Sequence, residues 1–179
     1  MTASTSRETQ IVGFRVGRET FGMPILALHE IVRVPEITAV PDAPAHIEGV
    51  INLRGKIVSV VDLRKRFNKP ATELTRHSRI LVIEHGGRLV GMIVDAASEV
   101  LKIAESDIAP APAMMKEGGL DCVTGIGKYQ KRLIILLDID KVLTVRVSGA
   151  SAKPAEPAGS QTNGKAGAEA RTKTASTGK

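Results

Sequence analysis

The side chains able to do chemistry are few, and their spacing argues against catalysis. Gly125-Ile126-Gly127-Lys128 resembles part of a phosphate loop, but Cys122 stands at the earlier glycine position and Tyr129 at the Ser/Thr position. A dinucleotide fingerprint fails because Gln130 replaces its third glycine, so both glycines are read as hairpin residues. His29, His46, His77 and His85 are scattered, none with a second ligand at metal spacing, and each is expected on the surface or in a loop. Asp138 and Asp140 could form an acid–base carboxylate pair, yet helix capping and solvation explain them more simply. No Ser or Cys sits in a nucleophile elbow. Cys122, between apolar neighbours, reads as a buried inert thiol that fits a reducing compartment. No catalytic residue, metal or cofactor is expected.

What remains is recognition, centred on one arginine. In Gly49–Phe67, GVINLRGKIVSVVDLRKRF, two β-type apolar runs meet at Asn52-Leu53-Arg54-Gly55. The Asn and Gly of this turn tolerate positive φ, so a tight hairpin is expected with Arg54 at its tip. After the turn, Ile57, Ser59, Val61 and Leu63 alternate with Val58, Val60 and Asp62, a strand covered on both faces. Asp62 then occupies an N-cap position ahead of a short basic helix in which Leu63 and Phe67 share a face. A rigid hairpin presenting an exposed charge suits display to a partner.

The elements that must position it are mostly strands. Gln10–Gly17 and Thr20–Met23 form a first hairpin, and Pro24 interrupts before a helical turn leads into a strand ending near Val34. Three prolines make residues 35–44 mostly loop, and one or two helical turns are expected over Asp42–Glu48, with Gly49 as the stop. Gly86-Gly87 joins the strands Arg79–Glu84 and Arg88–Asp95. Val100, Leu101 and Ile103 continue in β fashion, Leu120–Gly125 and Lys131–Leu137 pair, and Asp138 caps a final short helix. Nine or ten short strands with brief helices define an all-β fold of the sandwich or small-barrel kind. Identity reveals no repeat, although two halves of similar strand count are compatible with the pattern.

Composition narrows the function class. The chain has 179 residues, 42% hydrophobic and 25% charged, with three Phe, one Tyr and no Trp, so the core must be aliphatic. Half of the net charge of +6 lies beyond Ser148, where Lys153, Lys165, Arg171, Lys173 and Lys179 oppose only Glu156 and Glu169. With few aromatics to stack on bases, a basic nucleic-acid-binding barrel is the minor alternative. Residues 1–9 are expected to be flexible, 10–147 folded, and the Ala/Gly/Lys-rich residues 148–179, which lack any Val, Ile, Leu, Met, Phe or Tyr, disordered. MTASTSRETQ contains no apolar signal region, and no run approaches the ~18 apolar residues that span a bilayer, so a cytoplasmic location is expected.

Several segments together resemble a known family. Phe21 through Glu30-Ile31-Val32, the run Pro41 to Gly55 with its Ile51-Asn52-Leu53-Arg54-Gly55 core, and Val60-Val61-Asp62-Leu63-Arg64 closely resemble the CheW chemotaxis coupling proteins. Val90-Gly91-Met92-Ile93-Val94-Asp95, Ile108 to Pro112 and Thr124 to Gly127 follow in the same order. The resemblance implies two small SH3-like five-stranded β-barrels packed side by side. It implies an adaptor that couples the cytoplasmic tip of methyl-accepting chemoreceptors to the regulatory domain of the histidine kinase CheA, in a flagellar or another chemosensory pathway, at membrane-associated receptor arrays. By motif position, Arg54 and Glu30 are expected to pair and set the tip for docking. Arg54, Glu30, Leu28, Val32, Ile80 and Gly91 are then receptor-facing, and Gly49, Glu30, Ile31 and Gly55 kinase-facing. The tail is longer than such a module needs.

Overall fold

Alternating apolar runs punctuated by glycine turns produce eleven strands in the computed structural model, which describes residues 7–117 and 120–144. They are β1 (Glu8–Val16), β2 (Glu19–Pro24), β3 (Leu28–Arg33), β4 (Ile47–Leu53), β5 (Lys56–Asp62), β6 (Arg79–His85), β7 (Arg88–Val94), β8 (Ala96–Ala104), β9 (Ile108–Pro110), β10 (Val123–Tyr129) and β11 (Arg132–Leu137). Short helices α1 (Leu63–Arg66), α2 (Ala113–Glu117) and α3 (Ile139–Leu143) complete the set, with 3-10 turns before β3 and β9. The expected tail lies outside the described residues. Glu8 and Thr9 already pair with Ala104 and Ile103, so strand structure starts inside the segment expected to be flexible.

The strands form two sheets, ordered β8-β1-β2-β11-β10-β9 and β3-β6-β7-β5-β4. The second is contiguous in sequence, whereas the first joins the chain's opening hairpin to its later strands. Each contains two antiparallel hairpins joined by one parallel pair, β2–β11 in the first sheet and β5–β7 in the second, with further antiparallel strands at the edges: β8 and β9 in the first, β3 in the second. Both curl strongly. Glu30 on edge strand β3 reaches Arg54 beside the opposite edge strand β4. A Cβ on Gly127 of β10 would lie 2.9 Å from Ile103 of β8, across the first barrel. The two expected five-stranded barrels are therefore observed, the three-residue β9 being an extra edge piece of the first.

Period-two alternation distributes side chains among three apolar clusters. Ile80 and Val82 point into the second barrel with Ile51, Val58, Val60 and Ile93. Their neighbours Leu81 and Ile83 face the other way, into the seam between barrels. Ile11, Leu101, Ile103 and Ile134 fill the first barrel. The seam contains three of the four aromatics: Phe21 stacks on Phe14 at 6.1 Å and on Phe67 at 5.0 Å between ring centroids. Helix α1, capped by Asp62 and burying Leu63, delivers Phe67 to this position. Such two-sided burial explains the unbroken apolar run Ile80–Ile83 of β6, whereas β5, the strand expected to be covered on both faces, leaves Ile57 and Ser59 exposed.

The barrels share a plan that the identities conceal. Ile47–Lys65 and Val123–Lys141 present the same features in the same order without a gap: a register shift just before Gly49 or Gly125, a two-residue turn, and an aspartate that caps a helix. The turn falls at Arg54-Gly55 in one and Gln130-Lys131 in the other, all four with positive φ. Gly125 and Gly127 thus belong to the body of β10, and the reading of them as hairpin residues is corrected. No helix forms over Asp42–Glu48 either. Pro41 and Pro44 flank Asp42 at φ +57, and the Ile47 N–H donates to the Pro44 carbonyl at 2.8 Å, closing a turn that enters β4 directly.

Candidate docking site at the second barrel's hairpin tip

Leu53 and Lys56 are the last paired residues of β4 and β5, which leaves Arg54 and Gly55 as a two-residue turn. Their φ values are +51° and +84°, the left-handed conformations that match a hairpin's twist. The sequence reading assigned this freedom to Asn52 and Gly55. Asn52 instead remains in β4 and accepts a hydrogen bond through Oδ1 from the Gly55 N–H at 2.8 Å. That bond offsets part of the roughly 1–2 kcal/mol that a left-handed arginine costs. The backbone under Arg54 is therefore held in one conformation.

One side-chain interaction directs the guanidinium. Arg54 Nη2 donates to Glu30 Oε2 at 3.0 Å, with the arginine side chain 78% exposed and the glutamate 18%. An ion pair so open to water contributes about 0–1 kcal/mol. Its effect is orientation, and Arg54 keeps further N–H donors for another group. The expected pairing of Arg54 with Glu30 is thus seen in the geometry. Gly55 shares the tip, and a Cβ there would meet nothing within 4 Å.

Around this pair, apolar exposure differs from expectation. Leu28 and Val32 are only partly buried, Leu28 against the seam and Val32 against the second barrel's core. Ile31 faces the other side of β3 and is exposed. Ile57, paired with Asn52 one step from the turn, is 69% exposed. Sequence reasoning placed Ile57 in a covered strand and missed it as tip surface. The available signal was its position, adjacent to the turn and beyond the reach of the second sheet's neighbours.

Three residues expected at the partner surfaces lie inside. Ile80 is fully buried in the second barrel, and a Cβ on Gly91 would sit 2.7 Å from the Ile80 Cγ2. They pack against each other inside the second barrel. Gly49 is buried as well: with φ +151°, its Cβ would lie 2.2 Å from the Thr38 carbonyl oxygen. A side chain at Gly49 would meet this chain's own residues 37–38, so neither kinase contact nor helix capping accounts for the glycine.

Sequence reasoning also missed the clasp between the barrels. Arg64 Nε and Nη2 donate to both Asp95 carboxylate oxygens at 2.7 and 2.6 Å, and Arg64 Nη1 donates to the Pro70 carbonyl. The Gly17 N–H, from the β1–β2 turn, donates to Asp95 Oδ2 at 2.6 Å. Burial alone would raise the Asp95 carboxyl pKa. The hydrogen bonds from Arg64 and Gly17, with the charges of Arg64 and Arg15, outweigh it and hold the pKa below the usual aspartate range. Arg64 is shifted upward, chiefly by its hydrogen bond to Asp95. The partners are 31 and 78 residues apart in sequence, so no local spacing announces them.

The other candidate groups are structural. Asp138 accepts from the Lys141 N–H as the cap of α3, and Asp140 meets His85 Nδ1 at 2.9 Å. Cys122 is fully buried, and burial pushes its thiol pKa up. Among the described residues no three His, Cys, Asp or Glu side chains converge as a metal site.

Comparison with known proteins decides the family. A CheW-like domain model matches residues 10–147. This chain belongs to the CheW family. The chemotaxis protein CheW of Klebsiella aerogenes is 36% identical over 131 residues, covering 73% of this chain and 79% of that protein. The Bacillus subtilis CheW is 34% identical over 154 residues, covering 86% and 98%. The crystal structure of the scaffolding protein TtCheW from Thermoanaerobacter tengcongensis is 38% identical, with a TM-score of 0.72, over 78% of this chain and 95% of that one. The two barrels are therefore the SH3-like pair of CheW proteins, and the chain is a chemotaxis adaptor of scaffold type. The nucleic-acid alternative finds no support in these matches.

Proposed function

We propose that this chain makes and breaks no bond, and that it holds the cytoplasmic tip of methyl-accepting chemoreceptors against the histidine kinase CheA so that receptor state biases kinase activity. The observation that carries this reading is the oriented arginine: Arg54 on a locked left-handed turn, tethered to Glu30, in a chain of the CheW family. A guanidinium with donors to spare can engage a partner's carboxylate or carbonyl as a fork, and the exposed Glu30 pair rearranges at little energetic cost.

Arg54 and Glu30, with the partly open edges of Leu28 and Val32, form the receptor-facing group. Ile31, on the opposite face of the same edge strand, and Gly55 at the tip are kinase-facing. Two barrels joined by a continuous apolar seam supply the rigidity a geometric coupler needs, and several modest contacts in an array supply avidity. No helix of the described residues is long and apolar enough to cross a membrane, and the array location we propose comes through its partners.

Co-sedimentation with receptor signalling fragments and the kinase tests this assignment. The chain should enter the pellet with both partners and raise the amount of kinase recovered. A chain that stays in the supernatant at micromolar concentrations of both would refute it.

A further inference from the structure

A second surface is charged in a way the hairpin tip does not explain. Where β3 ends and β6 begins, Arg33 and Arg79 are directly opposed in register. Like charges facing each other across a strand pair are destabilising. Arg76 lies nearby in the preceding loop, and all three line a groove of about 640 Å³ with Val34, Pro35, Leu74 and His77. Among the described residues, none of these arginines has a carboxylate within 4 Å, while seven Lys or Arg side chains elsewhere do.

The loop fixes two of these side chains in place. Arg79 Nη1 donates to the carbonyls of Arg76 and Ser78, both at 2.8 Å, and Arg76 Nε donates to His77 Nε2 at 3.2 Å. Their remaining N–H groups have no protein acceptor among the described residues. The floor between them is apolar, and Leu74 is 53% exposed.

We infer that this groove binds an acidic peptide segment of a partner protein, its carboxylates on Arg33, Arg76 and Arg79 and an aliphatic side chain over Leu74 and Val34. The groove is poorly built for phosphate. The backbone N–H groups of Thr75, His77 and Ser78, which could form an anion cradle, are spent on Ser78 Oγ, Thr75 Oγ1 and the Thr75 carbonyl. Nucleic acid fits no better, since no Phe, Tyr or Trp lines the groove and the one imidazole there, His77, is engaged by Arg76 Nε. The inference stands apart from the tip: the groove lies at the β6 start, while Arg54 and the Gly86-Gly87 turn lie at the other end of the second sheet.

The test uses the full chain and a fluorescent twelve-residue peptide of alternating Glu-Glu-Leu triplets, followed by anisotropy at low and moderate salt. Saturable binding is expected. It should weaken about tenfold or more in Arg33→Ala/Arg76→Ala, as charge-assisted bonds are lost, and weaken again as salt screens the remaining charges. Arg33 and Arg76 are exposed, so the variant should keep the parent's melting curve; Arg33→Glu serves as a second variant if it does not. Arg54→Ala should bind the peptide as the parent does, which separates this site from the tip. The inference is overturned by absence of binding, by equal binding in the groove variants, or by equally strong competition from inorganic phosphate or a single-stranded RNA of matched charge.

Discussion

Gly49 offers the sharpest test of how the tip is held, because its replacement must act within the chain. In Gly49→Ala the new Cβ would lie 2.2 Å from the Thr38 oxygen and 2.9 Å from Ile37 Cγ2. A relaxed carbon–oxygen contact needs about 3.3 Å, so residues 37–38 must withdraw by roughly 1 Å. That movement breaks two hydrogen bonds, Thr38 N–H to the Val50 carbonyl at 2.9 Å and Val50 N–H to the Thr38 carbonyl at 2.8 Å. Each contributes about 1 kcal/mol, and a non-glycine residue held at this φ costs about 1–3 kcal/mol more. A loss of roughly 3–5 kcal/mol is a large part of a typical domain stability of about 5–15 kcal/mol. Urea unfolding followed by circular dichroism should therefore show the midpoint falling by about 2 M, for a slope near 2 kcal/mol/M. Amide exchange at Val50 should accelerate. Gly55→Ala is the control: it is left-handed too but meets nothing within 4 Å, so it should lose only about 1–2 kcal/mol. If Gly49→Ala is no less stable than Gly55→Ala and Val50 stays protected, the packing argument fails, and kinase contact regains its claim on this glycine.

Three further outcomes follow from the same geometry. Asp95 titrates below its ordinary value in the folded chain, so its contribution to stability is present above the unfolded pKa of about 3.9 and is lost as pH falls through the folded value. Asp95→Asn should lower stability at pH 7 and flatten its fall in the acid limb, measured by thermal melts from pH 7 to pH 2; an acid limb as steep as the parent's would refute the clasp. Ile80→Ala should cost about 2–5 kcal/mol as a buried cavity, with partner affinity unchanged at temperatures where the variant is folded. Selective loss of receptor binding by that stable variant would return Ile80 to the surface. Cys122 should react with a thiol reagent only as fast as the fold opens, so its labelling rate should rise with urea; rapid labelling in the native state would contradict its burial.

The legible features were the local ones. Gly86-Gly87, Asp62 before Leu63, and Asp138 before Ile139 each act through bonds to residues a few positions away, and each lies where spacing placed it. Arg54 was legible as a tip for the same reason. Its pairing with Glu30 came from the family resemblance, since a 24-residue separation carries no periodicity. Gly49 and Gly91 were misplaced because a glycine required by close approach looks the same in sequence as one required by a turn or a partner, and Ile80 because an apolar strand residue reads alike whether it fills a core or an interface. The shared plan of the two barrels escaped notice because only backbone geometry and apolar character recur, while Arg54-Gly55 is matched by Gln130-Lys131. The Arg64–Asp95 clasp and the arginine groove join segments that only the folded sheets bring together.

The most direct test of the adaptor reading is the ATP turnover of CheA mixed with receptor signalling fragments, with and without this chain and its Arg54→Ala variant. The chain should raise kinase activity strongly, and the variant should lose about tenfold or more of that gain, as expected of a hot-spot arginine, with its melting temperature unchanged. Kinase activity that is the same without the chain, or equally high with Arg54→Ala, would contradict the account.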